Sequence, residues 1–280
     1  MISIKDLSFQ YAKSKEAALK NISLDIKDGD FVGIIGTSGA GKTSLALSLN
    51  GVIPHEFPGD FYGEVKIDGL DTVDNRPEEF CRKVGEVFQD IDSQMVASVV
   101  EDEILFGLEN FGFERKEIEV RLEKVLKELG IEDLRYREIS SLSGGQKQKV
   151  AIASILALEP EIMVLDEPTG ELDPESSIEI FELLKKLNEE KGITIIIIEQ
   201  KIMLLCAYVK HLLVLDKGSL KYNGTPREGV KNTKMFKELG INIPPVAELS
   251  GRLREEKLFS GDIAMTVEEG KQMVEEVLSK

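Results

Sequence analysis

Apolar residues recur along the chain in two rhythms. "ISIKDLSFQY" (2–11) alternates apolar and polar positions, which predicts a strand with one buried face. "NISLDIKDGDFVGIIG" (21–36) predicts a second strand, a turn at Asp28-Gly29-Asp30, and a short buried strand from Phe31 to Ile35. A helix is expected over 44–50, and "GEVKIDG" (63–69) reads as an edge-type strand between turn glycines. From Arg76 to about Glu159 the period becomes helical. In "ERKEIEVRLEKVLKELG" the residues Ile118, Leu122, Val125 and Leu129 share one face, with charges elsewhere. Buried strands then return in "EIMVLDEP", "ITIIII" and "HLLVLDKG", and the helix "PESSIEIFELLKKLNEEKG" lies between the first two. Strands alternating with helices predict an α/β fold on a parallel sheet. The expected organisation is a main domain over 1–224, with a helical subdomain over about 90–159, and a small C-terminal extension over 225–280, where the patterning weakens around Pro244-Pro245.

The chain has 280 residues, 42% hydrophobic and 31% charged, enough for a substantial core and unlike a disordered segment. Its net charge of −16 argues against nucleic acid or an anionic lipid surface as a partner. Cys81 and Cys206 are the only cysteines and lack metal-ligand or redox-motif spacing, which favours a reducing compartment. "MISIKDLSFQY" lacks the layout of a secretory signal. No apolar run approaches the ~18 residues that would span a bilayer, so any membrane role is expected to work through a partner.

Candidate chemistry begins at "GTSGAGKT", residues Gly36, Thr37, Ser38, Gly39, Ala40, Gly41, Lys42 and Thr43, with Ser44 next to them. The segment matches GxxxxGK[ST] in full, after a buried strand and before a helix. Glycines there let successive backbone N–H groups point at phosphate oxygens, and the helix adds its positive end. Lys42 supplies a mobile charge for the β- and γ-phosphates, and the Thr43 hydroxyl suits Mg²⁺. In "IMVLDEP", Asp166 stands at the C-terminal end of a strand, where α/β proteins place ligands. Asp166 would hold the Mg²⁺ through water, and Glu167 would serve as general base toward an attacking water. The alternative is a pair of acids capping a strand end. "LSGGQKQKVAIA" places Ser143, Gly144, Gly145 and Gln146 at a second helix start with anion-binding geometry. One nucleotide has no need of two such sites, so this loop is expected to serve a nucleotide held by a second subunit.

The phosphate loop, "LSGGQ" and "LDEPTGELD", in that order and spacing, resemble the ATPase subunit of ABC transporters over about residues 1–225. The resemblance implies a P-loop NTPase fold with a RecA-like core, an antiparallel β subdomain and a helical subdomain. It also implies a head-to-tail dimer with two ATP molecules at the interface. It places Tyr11 where an aromatic ring stacks on adenine, a position that simple packing would equally fill. Gln89, in "VFQD", matches the glutamine that reaches Mg²⁺ and water and senses a transmembrane partner; Asp173, in "GELD", matches a loop that crosses to the other subunit. "VFQDIDSQ", "SVVEDEILFGLEN" and "ELGINIPPVAELSGRL" are more narrowly similar to the ATPases of energy-coupling factor transporters, which import vitamins and transition-metal ions. Ile91 stands where that family usually has proline. This similarity implies a membrane coupling subunit, a membrane substrate-binding subunit, and attachment to the cytoplasmic face of the membrane. It offers Asp92, Glu101, Asp102 and Glu103 as acidic contacts for arginines of coupling helices, or simply as a solvated face. It also implies a C-terminal dimerisation region, in keeping with the apolar set Ile241, Ile243, Val246, Leu249 and Leu253.

Other ATPases with such a nucleotide sandwich fit less well. Chromosome-maintenance types interpose a long coiled coil between the two loops, and the stretch from Lys42 to Ser143 has no sustained heptads. Translation-associated types carry two cassettes and contact RNA. An ABC importer of another type, or a weakly hydrolysing regulatory subunit, remains a reading, and "IIIIEQK" (195–201) bears on it. In the resembled family this strand ends in a histidine that reaches the γ-phosphate, and here Gln200 stands at that position. The three polar residues Glu199, Gln200 and Lys201 are expected because the strand tip lies at the nucleotide. Gln200 can exchange hydrogen bonds but cannot carry positive charge as imidazole can. The expectation is a heterodimer in which this chain's phosphate loop forms the slower site; a homodimer in which Gln200 suffices is the other reading.

Overall fold

The computed structural model describes residues 1–279. Ten strands form two sheets. The first is antiparallel, of order β2-β1-β4-β5, from β1 (Ile2–Tyr11), β2 (Leu19–Ile26), β4 (Gly59–Ile67) and β5 (Leu70–Asp71). The second has the order β10-β9-β3-β8-β7-β6, from β3 (Phe31–Gly36), β6 (Val84–Val87), β7 (Ile162–Asp166), β8 (Thr194–Ile198), β9 (His211–Asp216) and β10 (Ser219–Gly224). All pairings in it are parallel except that of β9 with β10. The interior strands β3, β7 and β8 are predominantly apolar because both faces are covered: every residue of them is buried.

The helices follow the sequence pattern closely where the period is strong. Arg115–Leu129 buries Leu122, Val125, Leu126 and Leu129, and Gly130 ends it in the left-handed conformation. Pro174–Lys191 starts on Asp173, whose side chain accepts from the backbone N–H of Glu175 and Ser176. The first helix starts at Lys42 rather than at 44. The helical region 90–159 holds the short turn Ile91–Gln94 and the helices Val100–Asn110, Arg115–Leu129 and Gly144–Leu156.

Three strands lie outside the expected pattern, the two-residue β5 and two longer ones. Val84–Val87, within the stretch read as helical, is the edge strand β6 beside β7. A methyl at Gly85 would come within 2.2 Å of Ile155 Cγ2, so the glycine lets the helix Gly144–Leu156 lie against this edge. Ser219–Gly224 forms a hairpin with β9. The C-terminal extension forms the helices Pro226–Lys231, Thr233–Glu238, Pro245–Glu255 and Val267–Leu278. Its buried residues Val230, Phe236, Ala247, Ile263 and Met265 belong to the same apolar cluster as the central sheet. The extension is therefore seated on the main core.

Gly85→Ala should destabilise the chain by about 1–3 kcal/mol through overpacking. Thermal unfolding checks this, and Ile155→Ala in the same chain should recover part of the loss by removing the opposing methyl.

Candidate active site

The phosphate loop leaves the buried end of β3 and enters the helix Lys42–Leu49. Gly41 has φ +99, and a Cβ there would lie 2.4 Å from the Ala18 carbonyl oxygen, so only glycine fits. The Lys42 ammonium is buried and donates to the carbonyls of Gly36 at 3.0 Å and Thr37 at 3.2 Å. It is thus held over the loop and can exchange these carbonyls for phosphate oxygens. Thr43 Oγ1 donates to Asp166 Oδ2 at 2.7 Å, which joins the loop to the tip of β7. Tyr11, at the end of β1, bonds Ser44 Oγ through its hydroxyl at 2.9 Å and meets Phe57 edge-on with centroids 6.0 Å apart. Its ring therefore borders the start of the helix that follows the loop.

Glu167 follows Asp166 with φ +48, a left-handed conformation unusual for a residue with a side chain. Its carboxylate is the meeting point of three segments. Gln200 Nε2 lies 2.8 Å from both of its oxygens, and Gln89 Nε2 donates to Oε2 at 3.3 Å. The residue expected to replace a histidine thus directly holds the candidate base. Asp166 is buried, and desolvation pushes its carboxyl above the ordinary range; the Glu167 charge adds to this, while the Thr43 bond and the Lys42 charge oppose it.

Ser143 caps the helix Gly144–Leu156. Its hydroxyl accepts the Gln146 N–H at 3.3 Å, and its own N–H donates to Gln146 Oε1 at 3.0 Å. Ser143, Gly144 and Asp173 are exposed at the surface, with the candidate loop Ser143–Gln146 open to a partner.

Two expectations need correction. Glu199 and Lys201 do not line a nucleotide pocket. Glu199 is 1% exposed, accepts from the Thr169 hydroxyl, and folds back onto the N–H groups of Gln200 and Lys201. Lys201 turns its ammonium into the loop after Glu167. The four acids proposed for coupling helices are also mostly engaged. Glu103 is buried and accepts from the N–H groups of Val96 and Ala97, Glu101 pairs with Arg135, and Asp92 pairs with Lys147 at 2.7 Å. Asp102 is exposed.

Glu86, on β6, escaped the sequence reading. It accepts from Asn50, and burial together with the Asp166 charge pushes its carboxyl up to about 7. Only the strand assignment of Val84–Val87 could have placed it near Asp166.

A strand-loop-helix phosphate cradle joined to paired acids at the tip of β7, one strand removed in the parallel sheet, defines a nucleoside triphosphate hydrolase. The chain matches the ABC transporter family model over residues 19–170 and belongs to that family of ATP-hydrolysing subunits. It is 40% identical over 273 residues to an energy-coupling factor transporter ATP-binding protein of Clostridioides difficile, covering 96% of each chain. Among solved structures it is similar to CbiO1 of Clostridium perfringens, part of the ABC transporter complex CbiONQ, with TM-score 0.76 and 32% identity over 91% of this chain and 98% of that one. It is also similar to a dimeric ATP-binding cassette in a post-hydrolysis state bound to ADP and phosphate, with TM-score 0.70 and 31% identity over 81% of this chain and 99% of that one. The fold and the family expected from the motifs are thereby established.

Glu86 should make stability depend on pH. Its folded-state pKa is raised from 4.5 to about 7, so stability is full below about 4.5 and falls as pH rises through 7. Glu86→Gln should therefore leave stability at pH 5 nearly unchanged and raise it at pH 8 by up to about 3 kcal/mol. Urea unfolding in EDTA at both values measures this; equal stability of variant and wild type at pH 8 would show that the group is not strained.

Proposed function

We propose that this chain is an ATPase subunit of an energy-coupling-factor-type importer for vitamins or transition-metal ions. It would work as one of two ATPases attached to a membrane coupling subunit and a substrate-binding membrane subunit. The convergence of Gln89 and Gln200 on Glu167, next to the Thr43–Asp166 bond, supports the ATPase part of the reading, and the 40% identity to an energy-coupling factor ATP-binding protein supports the importer type. Among the described residues no helix is long and apolar enough to cross a membrane, and peripheral attachment to the cytoplasmic face through these partners is part of the proposal.

In this reading Gly36 to Thr43, with Ser44, hold the triphosphate of ATP, and Lys42 moves from loop carbonyls to β- and γ-phosphate oxygens. Tyr11 borders the adenine. The residues fit Mg²⁺: Thr43 and Asp166 offer hard oxygen donors already 2.7 Å apart, with Gln89 close by at Glu167. When bound, Mg²⁺ would neutralise charge on the transferring phosphoryl group. Glu167 accepts the proton of the attacking water, and Gln200 fixes its carboxylate in place. Ser143, Gly144, Gly145 and Gln146, with Asp173, face the nucleotide of the partner ATPase.

Gln200 orients Glu167 but brings no positive charge, which supports a heterodimer in which this chain's own loop forms the slower site. Phe88, Val96 and Phe106 are 46%, 61% and 50% exposed in the segment that also carries Asp102, and suit contact with the coupling subunit. On the C-terminal helices, Leu249 and Val274 are 41% and 37% exposed, and suit contact between ATPases.

Glu167→Gln should lower hydrolysis by about 10²–10⁴ and trap an ATP-bound dimer visible by size-exclusion chromatography. Wild-type turnover would remove the general-base role. Gln200→His should raise hydrolysis by the isolated chain; brisk hydrolysis unimproved by this change would refute the slower-site reading. Leu249→Asp with Val274→Asp should weaken nucleotide-free association of ATPases while leaving the melting temperature nearly unchanged. Unaltered association at the same concentration would remove the C-terminal contact.

A further inference from the structure

We infer that Lys201 is a positioning residue that, with Glu199, latches the segment 169–177, the loop after Glu167 with the first turn of the helix Pro174–Lys191, to the Gln200–Glu167 pair, so that hydrolysis depends on where that segment sits. The inference rests on the ATPase reading of Glu167 above.

The latch is built from three consecutive residues at the tip of β8. Glu199 accepts the Thr169 hydroxyl in the core, where Thr169 is fully buried. Gln200 donates to Glu167 at 2.8 Å. Lys201 Nζ donates to the Thr169 carbonyl at 2.6 Å, the Leu172 carbonyl at 3.1 Å and Ser177 Oγ at 2.9 Å. An ammonium has three protons to give, and all three go to this segment. Ser177 Oγ in turn donates to the Asp173 carbonyl at 2.8 Å, so the grip extends to the exposed residue proposed to face the partner ATPase.

Packing does not hold this segment on every side. A groove of about 900 Å³ runs between it, the β8 tip and the C-terminal extension, bordered by Pro174, Ser177, Met203 and Ile243. Hydrogen bonds to a charged donor are worth more than neutral ones, and here three of them hold the segment on the side of the groove. The geometry gives a direct route of coupling. A displacement of 169–177 pulls on Lys201 and Glu199, and Gln200 lies between them in the chain. Its amide then leaves Glu167, and the base loses its orientation. Conversely, a partner that seats Asp173 holds Gln200 on Glu167.

Lys201→Met keeps most of the length of the apolar stem and removes its donors; Lys201→Arg keeps a donor there. In the full-length chain, Lys201→Met should lower kcat for ATP hydrolysis by about tenfold or more, as expected for a misplaced catalytic group, with KM changed by less than about twofold. Lys201→Arg should recover most of kcat. Hydrogen exchange supplies a readout that does not need turnover: ATP should slow exchange of amides 169–177 in wild type but not in Lys201→Met, while β3 and β7 amides stay protected in both. Ser177→Ala, which removes one acceptor, should act in the same direction more weakly, and it serves if Lys201→Met fails to fold. Unchanged kcat together with ATP-induced protection in Lys201→Met overturns the latch. So does faster exchange throughout the sheet without rescue by arginine, which would make Lys201 a support of the fold only. If wild type itself shows no hydrolysis, the ATPase reading of this site fails, and ATP-induced protection that depends on Lys201 still decides whether the latch exists.

Discussion

Two backbone hydrogen bonds just beyond the strand ends hold the chemistry of this chain in place. The Glu167 N–H donates to the Ile198 carbonyl at 2.9 Å, and the Glu199 N–H donates to the Ile34 carbonyl at 3.1 Å. They carry the ladder of β7, β8 and β3 past the last regular residue, so the phosphate loop, the acid pair and the EQK tip issue from adjacent points. Behind them the strands are buried and mostly apolar, and a core packed at crystal-like density does not slide. The left-handed backbone of Glu167 follows from the same constraint. Its N–H is committed to β8 while its side chain must turn toward Gln89 and Gln200.

Polar groups close to this point are satisfied in a definite hierarchy. Lys42 is held by loop carbonyls, which lets a buried ammonium persist and still be available to phosphate. The Asp166 carboxylate accepts from Thr43 and is raised by burial, and Glu86 is raised as well. Buried carboxylates that feel each other's charge lower the stability of the fold when ionised. Glu199 shows the opposite arrangement. It is as buried as any residue of the core, yet three donors converge on it.

Much of this was legible in the sequence, for physical reasons that differ by element. The phosphate loop and the Asp166–Glu167 pair are local: spacing fixes them once a buried strand precedes. Arg115–Leu129 and Pro174–Lys191 are long enough for the helical period to declare itself. β6 was missed because four residues, Val84 to Val87, carry too few alternations, and because it is an edge strand placed by Gly85 and Ile155 rather than by its own pattern. The engagement of Glu103 with Val96 and Ala97 was missed because acids on a helix read as solvated, and nothing local says that a loop will fold back over one of them. The polar tip of β8 was read as one functional unit, whereas tertiary contacts divide its labour among Thr169, Glu167 and the segment 169–177.

That division gives Gln200 its physical meaning. Two amides, Gln89 and Gln200, donate to one carboxylate, so Glu167 is oriented by neutral groups that hold their protons at any ordinary pH. An imidazole at the same place could exchange a proton with the base or present positive charge to the γ-phosphate. An amide can do neither, but its geometry is independent of protonation. The chain therefore keeps the aim of its base while giving up charge at the strand tip. The nearest cation on the same tip, Lys201, spends all three of its donors on the segment 169–177.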